Sequence, residues 1–309
     1  DCMTMKPNPM VILTGPTAVG KTALSIALAK RINGAIISAD SMQVYKYMDI
    51  GSAKIMPEEM DGVRHYSVDE LEASDEALKE ITANGQIPIV VGGTGFYIQA
   101  LLYDIDFTEQ ECDSAYRRQL EELAETRGNH YLHEMLKAVD PASAEAIHEN
   151  NRKRVIRALE FYHESGERIS EHNERESKKT SPYNFAYFVL NDDREKLYRR
   201  IDARVDAMVK AGLVDEVARL QQMGCHADMV SMQGLGYKEI LEYLDGECTL
   251  EEAVYKLKRD TRHFAKRQIT WFKRERDVIW VDKDTFEYDE EKILQYMLAV
   301  LQERHVWNH

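Results

Sequence analysis

The residues best suited to chemistry lie in one short stretch near the start of the chain. Gly15-Pro16-Thr17-Ala18-Val19-Gly20-Lys21-Thr22 fits the pattern G-x-x-x-x-G-K-[ST] of a phosphate-binding loop. The glycines let successive backbone N–H groups point at one anion, Lys21 adds a full positive charge, and the Thr22 hydroxyl can bind Mg²⁺. The stretch therefore predicts a site for a phosphate-bearing ligand and a magnesium ion.

The flanks of this loop are those that its mechanism requires. Met10–Thr14 is apolar and short, which predicts a buried strand, and helical spacing of apolar residues follows until Asn33-Gly34. A strand, a glycine loop and a helix therefore occur in order. Kinases, hydrolases and other transferases all share such a loop, so the loop alone does not determine the reaction.

Polar residues follow two further predicted strands. Ala35–Asp40 predicts a strand that ends in a carboxylate, and Ile87–Val91 predicts one that runs into Gly92-Gly93-Thr94-Gly95. Because ligands of open α/β sheets bind outside the carboxyl ends of the strands, we expect Asp40 and Thr94 to face the same crevice as the loop. The residues alone leave two alternatives open: a carboxylate that holds Mg²⁺ at Asp40, and a plain tight turn at the glycines.

Composition places the chain among globular, intracellular proteins. It has 309 residues, of which 44% are hydrophobic, and it has no apolar run of about 18 residues, so we expect a cytoplasmic protein with no membrane partner. Its four cysteines lack C-x-x-C spacing, which favours reduced thiols over a structural zinc site.

Charge is distributed unevenly. The formal net charge is −14, yet Lys256–Arg276 holds nine basic residues and only two acidic ones. One basic element in an acidic protein indicates a nucleic-acid partner, and the alternative is a solvated helix face.

The chain changes pattern in its middle. From about residue 115 to residue 166 the apolar spacing is helical throughout, residues 177–182 read as a linker, and strands follow at Phe185–Leu190 and Val278–Val281. We predict an α/β fold in which a parallel sheet like that of P-loop NTPases has flanking helices, plus an all-helical insert domain. The predicted parts are a core at residues 1–110, a helical insert at 111–184, and the rest of the core with the basic helix at 185–309.

Several motifs together resemble the tRNA dimethylallyltransferase family. The resemblance covers nearly the whole chain, and its motifs occur in the family's order: the phosphate-binding loop, Asp40-Ser41-Met42-Gln43-Val44-Tyr45 with Met48-Asp49-Ile50-Gly51, Gly92-Gly93-Thr94-Gly95, Gly236-Tyr237-Lys238-Glu239, and Thr261-Arg262 with Ala265-Lys266-Arg267-Gln268-Ile269-Thr270-Trp271. The resemblance implies an enzyme that moves a dimethylallyl group from dimethylallyl diphosphate to N6 of the adenosine beside the anticodon of tRNA.

The same resemblance implies roles at the reacting centre. It implies that Thr17 and Arg204 contact the diphosphate and that Asp40 is the general base. Charge grows on a departing diphosphate, which suits the cationic loop with Mg²⁺ at Thr22. The lone pair of N6 is delocalised into the ring, so a carboxylate that takes its proton suits the attack.

Recognition of tRNA follows from the same resemblance. A base in a stacked loop must turn out before it can enter a deep crevice. The resemblance implies tRNA contacts at Asp40, Ser41, Met42, Gln43, Thr94, Arg117, Lys153, Arg154, Arg157, Gln233, Lys238, Lys266 and Arg267. We expect a monomer whose partners are the anticodon stem-loop and dimethylallyl diphosphate.

Three other functions share part of this pattern. A P-loop small-molecule kinase needs neither the basic helix nor the helical insert. An adenylate isopentenyltransferase acting on free nucleotides shares the loop and the acid but needs no tRNA surface. A nucleotide-dependent RNA-binding module has no use for Asp40 as a base.

The chain departs from the family at one join. Family members carry a longer stretch between the equivalents of His65 and Tyr66, with a His-x-Leu-Ile-Asp run. The segment at residues 107–115 is also shorter here than in the family. We expect an interruption at this join, which would separate the two Cα atoms by more than the bonded distance of about 3.8 Å. The alternative is a true deletion.

Overall fold

The computed structural model describes residues 8–39, 57–68, 71–93, 95–103, 115–176, 181–225 and 234–309. The strands in these ranges are β1 (Pro9–Thr14), β2 (Gly34–Ser38), β3 (His65–Ser67), β4 (Ile87–Val91), β5 (Asn184–Asn191) and β6 (Val278–Asp282). The helices are α1 (Lys21–Ile32), α2 (Leu71–Ala83), α3 (Gly95–Tyr103), α4 (Ala115–Arg127), α5 (Asn129–Val139), α6 (Pro141–Ala146), α7 (Arg152–Ser165), α8 (Ile169–Glu176), α9 (Arg194–Lys210), α10 (Leu213–Gln222), α11 (Tyr237–Leu244), α12 (Leu250–Phe272) and α13 (Glu290–Glu303), with a short 3₁₀ turn at Pro57–Glu59. None of these helices is both long enough and apolar enough to span a bilayer.

The strands form one parallel sheet in the order β3-β2-β4-β1-β5-β6. In its centre, Leu13 of β1 pairs with Val91 of β4 on one side and with Phe188 of β5 on the other. Near-continuous apolar runs such as Met10–Leu13 are buried because helices cover both faces of the sheet. The predicted α/β class with a parallel sheet is confirmed, as are the five strands expected from the apolar runs.

Two clusters of buried side chains fill the space above and below the sheet. One joins α1, α9 and α13 to the sheet through residues such as Leu28, Ile201 and Met297. The other joins α2 and α3 to the opposite face through residues such as Ile81 and Ile98. The sheet is thus held between two helical layers, which leaves the carboxyl ends of its strands as one edge for a site.

Helices α4–α8 bury a separate cluster of their own, with Leu132, Leu136 and Leu159 at its centre. Helices α9–α12 bury a further cluster around Val217, Tyr237 and Leu257. Such independent clusters are what an inserted helical unit requires, since each unit must bury its own apolar faces. The proposed domain boundaries at residues 111 and 184 stay predictions.

The join at His65-Tyr66 is continuous. The two residues are successive members of β3, where His65 pairs with Ile36 and Tyr66 pairs with Ile37 of β2. The expected interruption is therefore wrong at this position. The strand itself was missed from the sequence because it is only three residues long and none of them is fully buried.

Candidate functional site

The glycine loop leaves β1 after Thr14 and enters α1 at Lys21, which confirms the predicted order of strand, loop and helix. Its backbone takes positive φ at Gly15, Ala18 and Gly20. The Lys21 Nζ donates to the carbonyl oxygens of Gly15 at 2.7 Å and Pro16 at 3.4 Å. The ammonium group therefore lies inside the loop, next to the helix N-terminus, where an anion is favoured.

Thr17 of the loop is contacted from two helices. Arg204 of α9 places its Nη1 3.4 Å from the Thr17 Oγ1. The Thr17 backbone N–H donates to the Gln268 Oε1 of α12 at 2.9 Å. The structure thus brings together Thr17 and Arg204, two of the residues predicted for the reacting centre, and adds Gln268, which the sequence did not single out for this site.

Two more cations lie beside Gly20, and neither was a candidate from the sequence. A Cβ atom built on Gly20 would lie 3.3 Å from the Arg200 Nη2 and 3.4 Å from the Lys283 Nζ. Lys283 also donates to the carbonyl oxygen of Val19 at 3.2 Å. A signal for Arg200 was available, because it lies one helical turn before Arg204 and so shares its face.

Arg200 also lines an open cleft of about 320 Å³. The residues that line it are Asp192, Lys196, Arg199, Arg200 and Tyr288. Asp192 is buried and accepts a hydrogen bond from the Tyr288 hydroxyl at 2.9 Å. Burial lowers the pKa of Lys283, the Arg200 guanidinium lowers it further, and Asp192 and Glu290 act in the opposite direction. The cleft is therefore a cationic extension of the loop site.

Close packing within the protein explains two of the glycines after β4, Gly93 and Gly95, whereas a Cβ on Gly92 would meet nothing within 4 Å. A Cβ on Gly95 would lie 1.5 Å from the Trp271 Nε1, so the indole of α12 lies directly on the start of α3. A Cβ on Gly93 would meet Tyr97 at 3.1 Å and Ala39 at 3.2 Å. At Gly95 the basic helix therefore contacts the start of α3, just after the carboxyl end of β4.

Several predicted site residues lie outside the described part of the chain. They are Asp40, Ser41, Met42, Gln43, Thr94 and Gln233. Their roles stay predictions that rest on the sequence. The residue before Asp40 is described: Ala39 follows β2, which lies two strands from β1, and it donates its N–H to the carbonyl oxygen of Val91 at the carboxyl end of β4.

The predicted tRNA contacts of the helical segment centre on a buried carboxylate. Glu160 has no exposed surface and accepts from the Arg117 Nε at 2.7 Å and the Arg157 Nη1 at 3.1 Å. Arg154 is also buried and lies 3.6 Å from Asp75. Lys153 is exposed. A structural role in this segment therefore accounts for part of its basic character, and contacts to tRNA at these residues stay predictions.

The basic helix α12 has two different halves. In the first half, Lys258 pairs with Asp206 at 2.8 Å and Arg262 pairs with Asp202 at 2.8 Å, which fastens α12 to α9. In the second half, Lys266 and Arg267 are exposed and make no ion pair within the described residues, and the same holds for Lys273, Arg274 and Arg276, which follow the end of α12 at Phe272. The half with unpaired cations is the one that carries Gln268 and Trp271, so the available positive charge lies next to the loop.

Comparisons with known proteins agree on one family. A profile of the IPP transferase family matches residues 43–275. The chain is 61% identical over 311 aligned residues to the tRNA dimethylallyltransferase of Lachnoclostridium phytofermentans, and the alignment covers 97% of this chain and 99% of that protein.

Solved structures give the same result. The full-length tRNA isopentenylpyrophosphate transferase of Bacillus halodurans is 42% identical, with a TM-score of 0.70 over 96% of this chain and 98% of that one. A eukaryotic dimethylallyltransferase, captured in snapshots of its action on tRNA, is 29% identical, with a TM-score of 0.70 over 95% of this chain and 78% of that one.

Proposed function

Since the chain belongs to the IPP transferase family, we propose that it transfers the dimethylallyl group of dimethylallyl diphosphate to N6 of an adenosine in the anticodon loop of tRNA. The enzyme is a tRNA-modifying prenyltransferase, the activity for which its relatives are named. The observation behind this proposal is that Arg204 and Gln268 both contact Thr17. The Gln268 contact joins the proposed diphosphate loop to a basic helix that is suited to RNA. All three residues come from one chain, so we propose that a monomer is active.

The cations around the loop suit a diphosphate that leaves. As the allylic C–O bond breaks, the electron pair stays on the diphosphate oxygen and its negative charge grows. Lys21, Arg204 and Arg200 are held in place before the reaction by the loop and by α9, so they stabilise that charge with little reorganisation. Thr17 is the loop residue whose hydroxyl lies 3.4 Å from the Arg204 Nη1, where it can donate to the departing group.

A magnesium ion fits this arrangement. Mg²⁺ keeps several waters and takes one or two protein oxygens together with phosphate oxygens. Thr22 offers an exposed hydroxyl in the first turn of α1, next to Lys21. We propose that the Thr22 hydroxyl would hold Mg²⁺, which would supply further positive charge to the leaving group.

The proposed acceptor is an adenosine of the anticodon loop. Its N6 attacks the allylic carbon, the C–N bond forms, and one proton must leave the nitrogen. Asp40 follows Ala39 at the carboxyl end of β2, and we propose that its carboxylate takes that proton. The adenine is turned out of the anticodon stack to reach this point.

One reaction tests the proposal and separates it from its rivals. Pure protein is incubated with labelled dimethylallyl diphosphate and tRNA, and the nucleosides of the digested tRNA are identified. We expect label on N6 of a single adenosine of the anticodon loop. Label on free AMP, or transfer of phosphate from ATP to a small molecule, would instead indicate the two alternative enzymes.

Lys283→Arg is expected to extend binding of inorganic pyrophosphate to higher pH. The lowered pKa of Lys283 means that its charge is lost at a lower pH than that of an ordinary lysine, so affinity falls as the pH rises through that pKa. Arginine keeps its charge, since its pKa exceeds about 12. Titrations between neutral and alkaline pH measure the shift, with the exposed Lys210→Arg as control. If pyrophosphate affinity falls over the same alkaline pH range in the wild type and in Lys283→Arg, Lys283 does not bind the anion.

Lys266→Ala and Arg267→Ala are expected to weaken tRNA binding and to flatten its salt dependence, because each lost phosphate contact lowers the slope by about one. Lys258→Ala is the matched control: it removes the same charge from α12, but from a pair with Asp206, so the slope should stay unchanged. Affinity for tRNA measured at several salt concentrations gives the result. A fall in pyrophosphate affinity with an unchanged salt slope would place the second half of α12 in the diphosphate site instead.

A further inference from the structure

The Gln268 side chain crosses from α12 to the phosphate-binding loop and holds it at one residue. Its Oε1 lies 2.9 Å from the backbone nitrogen of Thr17. A backbone N–H can only donate, so the oxygen of the carboxamide must face Thr17 and its NH₂ group must point away. One hydrogen bond therefore fixes both the loop and the orientation of the glutamine.

This hydrogen bond is made at the backbone N–H of Thr17, whereas the lysine side chains that support the loop bind its carbonyl oxygens, at Gly15, Pro16 and Val19. Residue Ala18, the next along the chain, has a positive φ of 65°, which is unfavourable for a residue other than glycine. Between residues 16 and 19, the described part of the chain has one backbone hydrogen bond, from the Val19 N–H to the Pro16 carbonyl oxygen at 3.3 Å. Thr17 is thus held from outside the loop, by Gln268 at its nitrogen and by Arg204 at its hydroxyl.

We propose that Gln268 is a positioning residue for prenyl transfer. It fixes the Thr17 backbone so that the Thr17 hydroxyl stays beside the Arg204 guanidinium, 3.4 Å away, and both can bind the diphosphate. The inference rests on the proposed function, since it assigns Gln268 to the donor site of that reaction. Misplacement of a reacting group by about 1 Å can lower a rate on the order of 100-fold, so the effect should appear in kcat.

Two variants separate the hydrogen bond from packing. Gln268→Met keeps the length and volume of the side chain but removes the acceptor, whereas Gln268→Ala removes both. We expect both to lower kcat about 10- to 100-fold at saturating donor and tRNA. The tRNA dissociation constant should stay within about twofold, because Lys266 and Arg267 remain. Thr270→Ala is the control: this exposed hydroxyl bonds only within α12, to the carbonyl oxygen of Lys266 at 3.0 Å.

Other outcomes would overturn the assignment. A normal kcat for Gln268→Met with a low kcat for Gln268→Ala would mean that the side chain only fills space, and a normal kcat for both would leave it without a role. Tighter donor binding with undiminished kcat would mean that Gln268 competes with the diphosphate for the Thr17 N–H. Melting temperatures identify any variant that loses activity by unfolding, and Gln268→Met is then the variant that decides. Absence of transfer by the wild type would defeat the proposed function itself, which is a separate result.

Discussion

Asp40→Asn is expected to lower the turnover of tRNA about 10²- to 10⁴-fold, the range for loss of a general base. Asparagine has nearly the shape of aspartate and keeps its hydrogen-bonding capacity, so donor and tRNA should bind with nearly unchanged affinity. It cannot accept a proton at neutral pH. Single-turnover rates at saturating donor and tRNA, with dissociation constants measured separately, give the comparison.

The pH dependence makes this test specific. If the wild-type rate falls at acid pH because a carboxylate becomes protonated, that limb should be absent from Asp40→Asn. Asp61→Asn is the matched control, because Asp61 is a surface carboxylate paired with Lys30 and should give wild-type rates. Wild-type turnover by Asp40→Asn at equal affinity would remove Asp40 from the mechanism.

Much of the sheet could be predicted because its strands are buried on both faces. A parallel strand between two helical layers is apolar at nearly every residue, and Met10–Thr14 and Ile87–Val91 show that pattern in the sequence alone. Strand β3 has no such pattern, since His65, Tyr66 and Ser67 are partly exposed at the edge of the sheet. Its place is set by pairing with β2, which a local pattern cannot show.

The site could be predicted only where its residues are neighbours in the sequence. The loop from Gly15 to Thr22 carries its own signature, so its geometry follows from eight residues. Gln268 and Lys283 come to that loop from more than 240 residues away, and their positions depend on how α12 and β6 pack on the sheet. The glutamine lay within a family motif, yet nothing in the motif says which atom it contacts.

The basic helix shows the same limit. Nine basic residues between Lys256 and Arg276 predict a nucleic-acid surface. The sequence does not reveal that Lys258 and Arg262 face Asp206 and Asp202 of α9, because those carboxylates lie about 50 to 60 residues earlier. Only the tertiary structure divides the helix into a half whose cations pair with α9 and a half whose Lys266 and Arg267 make no ion pair within the described residues.

Gly15→Ala is expected to disrupt the loop more than any other single glycine change in it. A Cβ at this position would lie 2.3 Å from the backbone oxygen of Leu190 at the end of β5, and the backbone has a φ of 150°. The obstacle is a main-chain atom of a central strand, so relief requires β1 and β5 to separate or the loop to turn away. Strain and overpacking together should lower the free energy of unfolding by about 2–5 kcal/mol and abolish measurable pyrophosphate binding.

Gly85→Ala separates the two contributions. Gly85 also has a positive φ, 72°, but a Cβ there would meet nothing within 4 Å, so it carries only the backbone penalty of about 1–2 kcal/mol. Urea denaturation of both variants and pyrophosphate titration of the folded proteins give the comparison. The loss of free energy of unfolding should be larger for Gly15→Ala than for Gly85→Ala. The difference measures the cost of the contact with Leu190, because Gly85 has no such neighbour. Equal destabilisation of the two variants, with normal pyrophosphate binding by Gly15→Ala, would mean that the loop tolerates displacement from β5 and that its position against that strand does not determine the anion site.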